Sequence, residues 1–271
     1  MLNKVTIGTL GKRLLMSLIM VPAVVATIFY APHWLFFLMV VGFIMVALNE
    51  FFSIAENKGL IIHRGFGLCF GALLPFAAYA SLQLPLVLAA CVALFIFLFN
   101  RRSPDRTITS VAVSVFGIVY VAWFFSYLIK LRLLPNGAEW VFYTILIVKG
   151  GDAGAYFIGR KFGKNKLLPL VSPNKSVEGA IGQMVTTLAL SVGAVFFIDV
   201  SWYHFVFLGI GVGGLAVFGD LAESLIKRDA GVKDSGQMPG LGGMLDVVDS
   251  LLFTVPFVYF YLTFVLGLER I

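Results

Sequence analysis

Long apolar stretches, broken by short polar or basic segments, run the length of the chain. Runs close to the 17 to 25 residues needed to cross a bilayer core of about 30 Å recur near 14–31, 34–53, 66–81, 84–99, 108–129, 139–158, 177–198, 202–226 and 247–268. The pattern predicts an all-α, polytopic integral membrane protein of about nine transmembrane helices with its N-terminus in the cytoplasm, eight or ten being the neighbouring counts. The third and fourth runs are short, each carries a proline (Pro75, Pro85), and only "SLQLP" separates them. A shallow re-entrant hairpin is the alternative there, and it returns the chain to the same side. The first run follows Lys4, Lys12 and Arg13 as a secretory signal would, but it is longer than a signal core and a second run follows at once. It is read as a retained helix.

Composition sharpens this reading. Of 271 residues, 60% are hydrophobic and 13% charged, against about a quarter charged in soluble domains. With nine spans, sixteen of the twenty Lys and Arg fall on the inner side: Lys4, Lys12, Arg13, Lys58, Arg64, Arg101, Arg102, Arg106, Arg160, Lys161, Lys164, Lys166, Lys175, Lys227, Arg228 and Lys233. Lys130, Arg132 and Arg270 fall outside, and Lys149 lies within a span. Retention of positive charge on the cytoplasmic side sets the orientation. The net charge of +6 thus belongs to one face, suited to anionic headgroups or a polyanionic substrate. No basic run is interleaved with aromatics for base stacking, which argues against nucleic acid. Cys69 and Cys91 lie in apolar runs and read as small buried packing residues, not as a disulfide or metal pair.

No fixed-period repeat is visible. Residues 1–135 read as a lipid-embedded scaffold of apolar spans. Residues 136–271 read as a catalytic region with cytoplasmic loops at 159–176 and 227–246, because nine of the fourteen acidic residues lie between Asp152 and Asp249.

In "VKGGDAGAYFIGRKFGKNK", Lys149 and Asp152 are spaced to pair at i, i+3, and the glycines permit close approach by a helix or a ligand. In "LLPLVSPNKSVEGAIG", Ser172 or Asn174 can cap the following helix, with Glu178 in or near its first turn. Lys175 falls among free helix N–H groups, an arrangement that suits phosphate. "NKS" matches a glycosylation acceptor, but on the cytoplasmic side. "GIGVGG" at 209–214 matches a dinucleotide fingerprint letter for letter, yet no strand precedes it, so close helix packing is the better reading.

Asp220, Glu223, Ser224 and Lys227 fall at i, i+3, i+4 and i+7, one stripe of a helix. Pairing of Asp220 with Lys149 or Lys227 is the bland explanation, and an intramembrane functional carboxylate the other. In "GLGGMLDVVDS", Asp246 and Asp249 share one face of the last helix's first turn, where capping accounts for one aspartate but not readily for two. Oxygen ligands without His or Cys suit a hard cation, Mg²⁺ alone or beside a second cation, which draws further ligands from substrate phosphates. His33, His63 and His204 lie elsewhere. A cation, lysines and helix ends near one membrane face describe a phosphoryl or nucleotidyl transfer site.

At these residues the chain resembles the phosphatidate cytidylyltransferases, also called CDP-diacylglycerol synthases. The resemblance rests on "GDAGAYFIGRKFGKNK", "SPNKSVEG" and, most specifically, "SLIKRDAGVKDSGQMPGLGGMLDVVDS", over roughly residues 150 to 252. Leu241 stands where the family commonly has histidine, Val247 where it commonly has arginine, and the turn before Pro239 is one residue short. The resemblance implies condensation of CTP with phosphatidic acid to CDP-diacylglycerol and pyrophosphate, a bacterial inner-membrane location, and a homodimer. A phosphomonoester is already largely anionic at pH 7, so the nucleophile needs no general base and Leu241 is tolerable. Asp220, Asp246 and Asp249 are then the expected metal-site residues. Lys175, Lys227, Arg228 and Lys233 are candidate phosphate contacts. Ser172, Asn174, Glu178, Glu223 and Ser224 shape the site, and Asp152 and Asp234 hold the nucleotide or orient the cations. A cytidylyltransferase for another lipid phosphate, such as an isoprenoid-ether phosphatidate, is the alternative. A transporter, a lipid-binding protein and a CDP-alcohol phosphatidyltransferase fit less well, the last because "DVVD" has a gap of two where three is needed.

Overall fold

The structure is a computed structural model that describes residues 18–99, 105–236 and 242–269. Lys4, Lys12, Arg13, Arg101, Arg102, Arg270, Leu241 and the turn around Pro239 lie outside those residues. Among the described residues, nine helices occupy the nine apolar stretches: α1 (Leu18–Phe29), α2 (His33–Asn57), α3 (Arg64–Tyr79), α4 (Gln83–Phe99), α5 (Thr107–Arg132), α6 (Gly137–Phe162), α7 (Val177–Phe196), α8 (Trp202–Asp229) and α9 (Met244–Val265). Six of them (α2, α5, α6, α7, α8 and α9) are long and apolar enough to cross a membrane, while α1, α3 and α4 are shorter. The chain is a multi-pass membrane protein, and its helices expose large apolar side chains such as Phe97, Phe207 and Phe218, which lipid covers at no cost. Pro85 falls in the first turn of α4, where no intrahelical bond needs its missing N–H.

The residues form two compact units. The first takes the chain up to Ser126 together with Ala230–Val248. Its core begins with a stripe on α2, in which Phe37, Val40, Ile44, Ala47, Leu48 and Phe51 are buried at helical spacing. Glycines let neighbours close on that stripe: a side chain at Gly67 or Gly71 of α3 would run into Phe52 or Leu48, and one at Gly117 of α5 into Phe51 and Phe52. Arg64, at the start of α3, donates to Asn49 Oδ1 (2.7 Å) and Ser53 Oγ (2.6 Å) and so ties α3 to the C-terminal part of α2. Residues Ile118–Trp123 of α5 are wound as a π-helix. Cys69 is exposed and Cys91 half-buried, both as free thiols, which corrects their reading as buried packing residues. Lipid is as apolar as a core, so a small apolar residue is equally at home facing outward.

The second unit comprises Tyr127–Asp229 and Asp249–Ile271. Here α7 packs along both α6 and α8. Gly150, Gly151 and Gly154 of α6 leave room for Leu190, Thr187 and Thr186 of α7, and Gly182 of α7 for Ile158 of α6. A buried polar relay reinforces the trio: Tyr143 Oη meets Ser191 Oγ at 2.5 Å, and Ser191 Oγ donates to the Phe205 carbonyl at 2.6 Å.

Between α6 and α7 the chain makes an antiparallel hairpin of β1 (Lys166–Leu168) and β2 (Ser172–Ser176), with Lys166 opposite Ser176 and Leu168 opposite Ser172. The apolar pattern shows only a polar loop here. The hairpin also corrects the cap: Ser172 and Asn174 are extended strand residues, and Ser176 caps α7, its Oγ accepting from Gly179 N at 3.1 Å. Glu178 lies in the first turn, as expected, and accepts from Lys164 N (3.1 Å), Asn165 N (3.2 Å) and Asn165 Nδ2 (2.8 Å). It fastens the start of the hairpin to the start of α7.

The "GIGVGG" segment lies within α8, far from any strand-to-helix turn. Gly209 faces the Leu188 backbone and Ser191, Gly211 faces Phe257, and Gly214 faces open space. Gly209→Leu is therefore expected to lower the thermal midpoint in detergent by an amount equivalent to about 2–3 kcal/mol, the usual cost of overpacking. Gly214→Leu should stay within about 0.5 kcal/mol of the parent, as exposed substitutions do. Equal losses at both positions would contradict this packing.

Candidate active site

Four elements of the second unit converge on one cavity: the last turns of α6, the hairpin, the start of α7 and the middle of α8. Its volume is about 450 Å³, within the usual range for small-molecule sites. Polar groups line it from each side: Asp152, Tyr156 and Arg160 of α6, Ser172, Asn174 and Lys175 of β2, Gln183 of α7 and Asp220 of α8. Gly159 and Gly179 meet on its wall, where a side chain on either would strike the other helix, so the N-terminus of α7 crosses close to α6. The first turn of α7 thus lies on the cavity wall and turns its positive dipole end toward it, while its N–H groups at Val177 and Gly179 are held by the Asn165 carbonyl and Ser176 Oγ.

Lys175 and Asp220 face each other across this space, Nζ to Oδ1 at 2.6 Å. The two side chains are part-exposed, at 26% and 37%, while Lys175 Nζ itself is covered. The pair is one link between the hairpin and α8, and it answers which base pairs directly with Asp220: neither Lys149 nor Lys227, but the lysine expected to bind phosphate.

Deeper along α6 lies a second polar knot. Lys149 Nζ donates to Asp152 Oδ2 and Ser250 Oγ, both at 2.9 Å, and Ser250 Oγ donates to the same Asp152 oxygen at 3.1 Å. The other oxygen, Oδ1, accepts from Gln183 Nε2 at 2.9 Å. Asp152 is thereby fixed from three helices, α6, α7 and α9, by the i, i+3 pair that the sequence spacing allows. Asp249, buried on α9, accepts from Ser250 N at 2.5 Å. The charges of Asp152, Asp249 and Asp220 all act on the single ammonium group of Lys149.

The remaining expected residues are placed as follows. Glu223 and Lys227 are buried on α8 and paired with each other, continuing the buried stripe of Leu208, Val212 and Ala216. Ser224 is buried on the same stripe. Arg228 Nε donates to the Val171 carbonyl at 3.2 Å, which pins α8 to the hairpin turn. Lys233, Asp234 and Asp246 belong to the first unit, with Lys233 and Asp234 exposed. Asp246 Oδ2 accepts from Ser235 N (3.0 Å), Ser235 Oγ (2.9 Å) and Gly243 N (2.7 Å).

Sequence reasoning missed Arg160, Tyr156, Gln183, Ser176 and Ser250. Arg160 was legible only as one of several loop cations, and it sits beside Tyr156, donating to its hydroxyl at 3.0 Å. Gln183, a lone amide in an apolar helix, is the kind of signal that could have been used, since a polar group there needs a partner.

Of the expected metal-site residues Asp220, Asp246 and Asp249, the second unit holds Asp220 and Asp249, and with Asp152 they make an oxygen-rich set without His or Cys, which fits a hard cation. Among the described residues, however, no group of three or more His, Cys, Asp or Glu is arranged to hold an ion alone, and Asp220 and Asp152 each face a lysine. The set fits a cation that arrives with phosphate oxygens as its remaining ligands.

The Lys149–Asp152 knot makes a measurable demand on stability. Lys149→Met leaves Asp152 without its cation and should cost about 2–4 kcal/mol, whereas Lys149→Met combined with Asp152→Leu should recover most of that loss. Thermal denaturation of the three proteins in one detergent checks this; a double variant as unstable as the single would contradict it.

Comparison with known sequences bears on the same residues. The profile of the Cytidylyltransferase family matches residues 11–265. Phosphatidate cytidylyltransferase of Bacillus subtilis is 38% identical over 160 residues, covering 58% of this chain and 60% of that protein. The Haemophilus influenzae protein of that name is 44% identical over 138 residues, 48% of each chain. The match thus spans about half to three fifths of the length of these two relatives. The Synechocystis protein of the same name is 30% identical over 266 residues, covering 86% of this chain and 90% of that protein. With nearly its whole length matched, the chain belongs to the cytidylyltransferase family.

Proposed function

We propose that this membrane protein transfers the cytidylyl group of CTP to phosphatidic acid, giving CDP-diacylglycerol and pyrophosphate. The observation that carries the reading is the cavity in which Lys175, Asn174 and the first turn of α7 face Asp220. It offers Lys175, the Asn174 side-chain amide and the positive end of a helix for a triphosphate, beside carboxylates for the cation that a triphosphate brings. The names borne by the relatives agree with that substrate pair.

The reaction balances without a protein base. A phosphate oxygen of the lipid attacks the α-phosphorus of CTP, a new P–O bond forms, and the bond from the α-phosphorus to the bridging oxygen breaks. Pyrophosphate leaves with that electron pair. The chain's task is to bring two polyanions together and to stabilise charge as it moves to the leaving group. Lys175 exchanges its partner Asp220 for a phosphate oxygen, Arg160 adds further donors, and the positive dipole end of α7 adds to the attraction. Asp152, immobilised by Lys149, Ser250 and Gln183, presents a fixed acceptor toward the nucleotide. Asp220, freed of Lys175, and Asp249 are the side chains that would hold Mg²⁺, which when bound supplies neutralising positive charge at the triphosphate. The excess of Lys and Arg in the segments that border the site supports a cytoplasmic site, with CTP entering from solvent and the lipid between helices.

The test is purified protein with labelled CTP and a panel of phosphatidates, acyl and isoprenoid-ether, with and without Mg²⁺. Lipid-linked CMP with stoichiometric pyrophosphate is expected in Mg²⁺, and no product across the panel would overturn the reading. Lys175→Met should raise KM for CTP about tenfold or more, the loss of one charge-assisted contact. Asp220→Asn should lower kcat by about 100-fold while the thermal midpoint stays near that of the parent. Full activity of Asp220→Asn would remove it from the site.

A further inference from the structure

Glu50 is an acidic residue well inside α2, seven residues before its end at Asn57, about 10 Å of helix rise. A carboxylate at that depth in an apolar helix is costly unless its oxygens are satisfied. Its partners all lie in Ala230–Val248, which belongs with α2 to the first unit. Glu50 Oε1 accepts from Met244 N at 3.0 Å, and Oε2 from Leu245 N at 2.8 Å and Ser235 Oγ at 3.0 Å. Glu50 therefore caps α9 from a residue 194 positions away in sequence, satisfying two of the N–H groups that a helix start leaves open.

The same hydroxyl serves Asp246. Ser235 Oγ lies 2.9 Å from Asp246 Oδ2 and accepts from Asp246 N at 3.2 Å. One hydroxyl proton thus faces two carboxylates, and four backbone N–H groups complete the pair: Met244 and Leu245 for Glu50, Ser235 and Gly243 for Asp246. Two glycines make the socket. A side chain at Gly236 would strike Glu50 Oε1, and one at Gly243 would strike Ser235 Oγ and Glu50 Oε2. Gly242, directly before Gly243, adopts φ +85°, open to a residue without Cβ. Of the paired glycines of "GLGGMLD", Gly243 is explained by the Glu50 carboxylate it admits and Gly242 by its positive φ.

We propose that Glu50 is the positioning residue for Asp246: through the α9 N-terminus and the Ser235 hydroxyl it fixes the rotamer and the height of that aspartate. The inference rests on the proposed cytidylyltransferase function and on the expectation, carried by the "GLGGMLDVVDS" motif, that Asp246 is one of the residues the reaction uses. Glu50 touches no substrate in this account, and its effect reaches the reaction through Asp246.

The experiment is hydrogen exchange resolved to single amides on the full-length protein in detergent, paired with steady-state kinetics, for Glu50→Gln. An amide cannot accept from both Met244 N and Leu245 N, because its NH₂ would face a donor. A local cap would change exchange at Met244 and Leu245 alone. Positioning of Asp246 requires the Ser235 and Gly243 amides to exchange faster as well, by at least tenfold, with α7 amides unchanged. It also requires kcat to fall at least tenfold with KM for CTP within twofold. Ser235→Ala, which keeps both Glu50 amide bonds, should show a smaller loss of the same kind and serves if Glu50→Gln does not fold. Unchanged Ser235 and Gly243 exchange, or unchanged kcat, overturns the proposal. If the parent protein has no transferase activity the functional reading fails by itself, and the exchange data still decide whether Glu50 holds Asp246.

Discussion

A carboxylate inside a membrane-length helix is tolerated only when its charge is met at close range, and that constraint organises both units of this protein. Asp152 is met by Lys149, Ser250 and Gln183, Asp220 by Lys175, and Glu223 by Lys227. In the other unit, Asp246 and Glu50 are met by backbone N–H groups and the Ser235 hydroxyl. Apolar packing in lipid gives little direction, because every apolar face is equally content against acyl chains. The acids and their partners supply the direction. Glycines then set how close the helices come, as at Gly151 against Thr187 and Gly243 against Glu50.

These contacts differ in how firmly they are closed. Asp152 has both oxygens engaged by side chains from three helices, so it behaves as part of the scaffold that carries the cavity. Lys175 and Asp220 meet across an open, part-exposed space, one on a short hairpin and the other on a long helix. A polyanion entering that space competes directly for Lys175 and leaves a carboxylate free for a cation. In the proposed reaction the resting ion pair is a placeholder for substrate, and charge balance is kept in both states.

Much of this was legible in the sequence. The spacing of apolar runs located nine helices because lipid burial requires long uninterrupted stretches, and the i, i+3 spacing of Lys149 and Asp152 foretold their pair. The stripe from Asp220 to Lys227 was read correctly as one helix face. The hairpin at 166–176 was not legible, since three- and five-residue strands in a polar loop leave no apolar period to detect. The cap at Ser176 was hidden behind Ser172 and Asn174, equally good capping residues that the strand had already claimed. The partner of Asp220 was a long-range matter that local spacing does not encode. Glu50 escaped notice for the same reason: its meaning lies in residues nearly two hundred positions downstream.

The central claim is that the cavity holding Lys175 and Asp220 receives the triphosphate of CTP. A structure determined with a CTP analogue whose α,β-bridge is a methylene group, in Mg²⁺, tests it most directly. The account predicts the triphosphate against β2 and the first turn of α7, with Lys175 moved from Asp220 onto a phosphate oxygen. An analogue bound elsewhere, or bound while Lys175 and Asp220 remain paired, would contradict it.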